Sequence, residues 1–107
     1  MPQFVLLSKV TTDGGQTLHS HPDRVMAVGQ EIEELGCRVV SQYALLGHYD
    51  FLTVVEAPDA GTMAHLSVDL SSRGSMSIET LPALPVEEFV EALKSTHQIG
   101  KGEVQRD

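Results

Sequence analysis

The stretch Arg38–Ala57, RVVSQYALLGHYDFLTVVEA, decides the fold. It holds two apolar runs, Arg38–Leu46 and Phe51–Ala57, with only Gly47-His48-Tyr49-Asp50 between them. The first run holds two valines and a tyrosine and the second two valines and a phenylalanine, and β-branched and aromatic side chains suit the pleated surface of a strand. So short a link cannot return the chain for parallel pairing, which needs a crossover of about a dozen residues or more. The two runs therefore read as an antiparallel hairpin.

Working towards the N-terminus, Pro22–Leu35 reads as a helix. Pro22 suits the first helical position, where its missing N–H leaves nothing unpaired, and Asp23 suits the positive end of the dipole. Val25, Val28, Ile32 and Leu35 recur at helical spacing with Glu31, Glu33 and Glu34 on other faces, and Gly36 supplies the stop. Thr11–His21 reads as a loop, opened by the turn-forming Thr11-Thr12-Asp13-Gly14-Gly15. Before it, Gln3–Val10 is a strand built on Phe4-Val5-Leu6-Leu7. Towards the C-terminus, Pro58-Asp59 breaks the hairpin's second strand. A second helix then runs to about Ser72 with Met63, Leu66 and Leu70 inward. Ser75–Leu81 alternates Met76, Ile78 and Thr80 against Ser77 and Glu79, the pattern of a half-buried strand. A last helix starts near Pro85, with Glu87 and Glu88 in its first turn and Phe89, Val90 and Leu93 for packing. Residues 1–97 make the domain, and the polar stretch 98–107 reads as a flexible C-terminal tail.

The order β-α-β-β-α-β plus a C-terminal helix specifies an α+β, ferredoxin-like domain with a four-stranded antiparallel sheet. In that topology the first and third strands are central, and those are the two near-continuous apolar runs. Phe4 and Leu6 point to one face while Val5 and Leu7 point to the other. Helices can cover only one face, so the second calls for a partner subunit, most simply in a twofold dimer.

Composition narrows the function. A chain of 107 residues has room for one domain. Seven Lys+Arg against fifteen Asp+Glu leave a net charge of −8, which excludes the basic stripe that a nucleic-acid partner requires. No apolar run approaches the roughly 20 residues of a membrane span, so no membrane partner is expected. Met1–Val10 lacks the charged start of a secretory signal, and the single Cys37 suits a reducing compartment; a cytoplasmic location is the expectation.

Tracing the strands up and down places Thr11–His21, Gly47–Asp50 and Ser72–Ser75 at one end of the domain. That end gathers Arg24, His48, Tyr49 and Asp50 as candidate ligand-binding residues, together with Arg73. His19 and His21 are candidate metal ligands there, because imidazole suits divalent transition metals and residues two apart point the same way in extended chain. Competing structural readings exist for each. Gly47 takes a turn conformation, Asp50 bonds N–H groups within the turn, Tyr49 packs on a neighbour, and the histidines are exposed.

Gly47-x-Tyr49-Asp50, followed by an apolar strand and Glu56-Ala57-Pro58-Asp59, resembles the GYD-domain family. Lys9-x-Thr11, Arg24 close behind Pro22, and Glu79-Thr80-Leu81 fit the same pattern, so the resemblance spans roughly residues 3–93. It implies a ferredoxin-like dimeric α+β barrel. Related barrels include small-molecule sensors, cofactor-free oxygenases and isomerases, and proteins without known activity, so no reaction comes with the resemblance. The expectation is a small-molecule-binding, regulatory homodimer or ring of dimers, its pocket lined by apolar residues with Arg24, Tyr49 and one histidine. The alternative is a cofactor-free or metal-assisted oxygenase or isomerase using His19, His21 and His48. Whether the chain is an enzyme stays open at this point, as do its ligand and any cofactor beyond that metal.

Overall fold

In the computed structural model, which describes residues 1–95, the hairpin closes as its sequence requires. The elements run β1 (Gln3–Val10), α1 (Thr12–Ser20), α2 (Arg24–Glu34), β2 (Arg38–Ala44), β3 (Phe51–Glu56), α3 (Ala60–Ser71), β4 (Met76–Ala83) and α4 (Val86–Ser95). The sheet is antiparallel throughout, in the order β2-β3-β1-β4, so β1 and β3 are central. This is the ferredoxin-like arrangement.

Register assigns each side chain a face. Leu6 sits opposite Thr53 and Thr80, and Phe4 opposite Val55, on the face covered by helices. There Phe4, Leu6 and Val55 form the core with Ile32 of α2 and with Met63, Leu66 and Leu70 of α3. Burying each large apolar side chain contributes about 1.5–3 kcal/mol, so this cluster carries most of the fold's stability. Val5 and Leu7 face the other way, beside Val54 and Leu52, and stay only half-buried because no helix lies over them. A bulge at Val40 lets β2 switch faces: Val39 pairs with Val55 inside, while Ser41 pairs with Val54 outside.

Three features depart from the sequence reading. The stretch read as a loop, Thr11–His21, contains α1, a full helix. Thr11 caps it by accepting from the Gly14 N–H at 3.1 Å, and Asp13 sits in the first turn. The next helix correspondingly starts at Arg24, leaving Pro22 and Asp23 in the intervening turn. Lastly, α4 forms where expected, but Phe89, Val90 and Leu93, read as its packing face, are all exposed. The tail assigned to 98–107 lies outside the described residues.

Candidate functional site

A cleft opens between the helices and the sheet, and α1 makes it possible. Gly14 approaches the turn before β4 so closely that a Cβ there would lie 2.0 Å from the Ser75 carbonyl oxygen. Thr11 secures the contact, its N–H donating to Ser75 at 3.1 Å and its hydroxyl to the Gly74 carbonyl at 2.9 Å. Pinned in this way, α1 offers Thr17 and Leu18 as one wall. Val25 and Val28 of α2 form another, with Phe51, Leu70 and Met76 completing an apolar lining. Further in, the cleft meets Ser8 and Thr53, two hydroxyl residues buried among the core side chains.

Two cations reach this lining, Arg24 and Arg73. Arg73 pairs with Glu31 at 2.7 Å, and that carboxylate holds the guanidinium firmly protonated. Arg24 has no ion pair among the described residues. Of the expected pocket residues, then, Arg24 lines the cleft, whereas Tyr49 and the histidines do not.

The Gly47-His48-Tyr49-Asp50 turn has a different task. Gly47 takes φ +129°, which side chains bearing a Cβ rarely adopt. Asp50 accepts from the Val10 N–H at 2.8 Å through its side chain, while its own N–H donates to Ser8 at 2.8 Å. The carboxylate therefore bonds a neighbouring strand and not its own turn, contrary to the local reading. The Tyr49 hydroxyl donates to Glu79, and that bond pushes the phenol pKa up. The His48 ring stands edge-on to Tyr49, centroids 4.8 Å apart. Since Glu79 sits opposite Leu7, Tyr49 reaches the uncovered sheet face, away from the cleft. Asp50 and Tyr49 thus clasp the hairpin tip to β1 and β4, with the His48 ring against Tyr49.

His19 and His21 differ from expectation in geometry. His19 belongs to the last turn of α1 and His21 caps it, so the extended chain that would aim both rings together is not the conformation adopted. Among the described residues no three His, Cys, Asp or Glu side chains group closely enough to hold a metal. Cys37 is buried, which raises its thiol pKa, with Asp59 adding to the effect, so it is protonated and unreactive at neutral pH. What sequence reasoning missed was the α1 wall. Thr11 ahead of Asp13 was a legible cap signal, masked by two consecutive glycines.

The sequence profile of the GYD domain matches residues 4–93. The chain belongs to the GYD-domain family. A relative from Thermus thermophilus, the glutamine synthetase and cystathionine beta-lyase binding protein, is 50% identical over 95 residues. That match covers 88% of this chain and 100% of the relative. Among solved structures, TTHA0845 from Thermus thermophilus superimposes with a TM-score of 0.53 at 24% identity, over 79% of this chain and 95% of that one. At that identity the likeness speaks for the fold. No helix among the described residues is long and apolar enough to cross a membrane.

Proposed function

We propose that this GYD-domain protein is a binding module that docks on another protein, an enzyme of the kind named for its half-identical relative. The observation that carries this reading is α4. Val86, Phe89, Val90 and Leu93 fall at i, i+3, i+4 and i+7, one continuous stripe, and all four are exposed. Glu87, Glu88 and Glu91 keep the rest of the helix in water. Such spacing is how an amphipathic helix anchors in the apolar groove of a partner. The relative's partners, glutamine synthetase and cystathionine beta-lyase, supply the enzymes to try first.

The test is binding of the purified protein to the glutamine synthetase and the cystathionine beta-lyase of its own organism, by biolayer interferometry. Wild type is expected to bind at least one of them. Phe89→Ser/Leu93→Ser is expected to weaken that complex about tenfold or more, because buried aromatic anchors dominate such interfaces. Absence of binding to both enzymes at tens of micromolar, or a double variant that binds like wild type, would sink the proposal.

A second reading is favoured by the cleft. Its apolar lining suits a small molecule, which gives the module a regulatory input. The uncovered sheet face supports a homodimer, and the cytoplasm is the location that fits a partner enzyme of central metabolism.

A further inference from the structure

We infer that the cleft between α1, α2 and α3 takes an apolar-bodied monocarboxylate, with Arg24 as the group that holds its carboxylate. The inference rests on the cleft being the small-molecule site proposed above, and it names the chemistry of the ligand.

Charge makes the case. The chain has seven Lys+Arg and fifteen Asp+Glu, yet the cleft lining contains Arg24 and Arg73 and not one acidic residue. In a protein of net charge −8, an opening free of carboxylates and furnished with guanidinium groups is selective for an anion. The two arginines are not equivalent. Glu31 occupies Arg73 at 2.7 Å, neutralising it, while Arg24 enters no ion pair among the described residues. One unneutralised cation matches one negative charge; a phosphate dianion would call for both. The guanidinium's planar fork of N–H donors fits a carboxylate's two oxygens. Beyond it lie Val25, Val28, Phe51, Leu70 and Met76, which can receive a hydrocarbon body but no second charge. Thr17 and Ser75 add hydroxyl groups to the same lining. The ligand is therefore charged at one end and apolar along the stretch that Val25, Val28, Phe51, Leu70 and Met76 line.

Octanoate serves as the probe and octanol as its uncharged counterpart. Each is titrated into the full chain calorimetrically, with backbone amide NMR shifts locating the site. Octanoate is expected to bind more tightly than octanol and to shift amides of α1, α2 and Met76. Arg24 is exposed, so Arg24→Met leaves the core untouched. That variant is expected to lose about tenfold or more in octanoate affinity without changing octanol binding, and Arg24→Lys to recover part of it. Octanoate and octanol binding alike in the cleft would overturn the carboxylate assignment while leaving the small-molecule reading intact. Failure of both to bind, or shifts confined to α4 or the uncovered sheet face, would overturn the two together.

Discussion

Asp50 joins two strands through one side-chain bond, and its substitution separates charge from shape. Asp50→Ala leaves the Val10 N–H without its 2.8 Å acceptor and should cost about 1.5–3 kcal/mol in urea unfolding. Asp50→Asn keeps an acceptor oxygen and should cost clearly less. Nothing in the residue order shows this bond, because its partners lie far apart in the chain; only the need for a turn was legible. Two other carboxylates contribute to acid sensitivity. Hydrogen bonds from Arg38 and then Gln3 hold Glu56 below its ordinary value, and the Thr62 N–H does the same for Asp59 at the start of α3. Both folded values are lowered, so their stabilisation is complete above the ordinary values of 4.5 and 3.8 and is lost as pH falls through the folded ones. Thermal melts should be flat near neutrality and decline below that range. Glu56→Gln should have a shallower acid limb; an unchanged limb would assign the acid sensitivity elsewhere.

Among the elements, α1 and α4 show opposite relations between local sequence and tertiary contact. Gly14 and Gly15 each lower helix propensity by about 1 kcal/mol relative to alanine, which is why the segment reads as a loop. The folded protein needs a residue without a side chain at Gly14, because only backbone fits against Ser75. Gly14→Ala should thus destabilise by about 3 kcal/mol despite its better propensity, whereas Gly15→Ala, with Val10 at 3.9 Å, should be neutral or stabilising. Denaturation of the two variants side by side checks this. In α4 the amphipathic pattern was plain in the sequence, but a pattern specifies a face and not the surface it meets. The existence and antiparallel sense of the hairpin were legible because link length fixes them, whereas the bulge at Val40 and the end of β2 at Ala44 were not. The cleft was legible only in part: Arg24 was named, and the wall formed by α1 was hidden with that helix.

For the molecule as a whole, the sheet has one face under helices and one bare. On the bare face Val5, Leu7, Leu52 and Val54 form a half-buried apolar centre, bordered by the Arg38–Glu56 ion pair at 2.9 Å. In the homodimer proposed above, a second copy packed sheet to sheet would cover this centre symmetrically. Light scattering should accordingly give twice the chain mass, and Leu52→Lys/Val54→Lys should give a monomer whose circular dichroism is unchanged. A monomeric wild type at high micromolar concentration would exclude the arrangement.

The stripe on α4 also bears on abundance. Under the docking proposed for α4, its four exposed apolar side chains would leave every surplus copy with a sticky arm, opposed by the mutual repulsion of chains at net charge −8. Repulsion of that kind fades as salt rises, so uncomplexed protein should grow less soluble with ionic strength. On that proposal the amount of dissolved module would track the supply of its partner, and production in excess would be self-limiting.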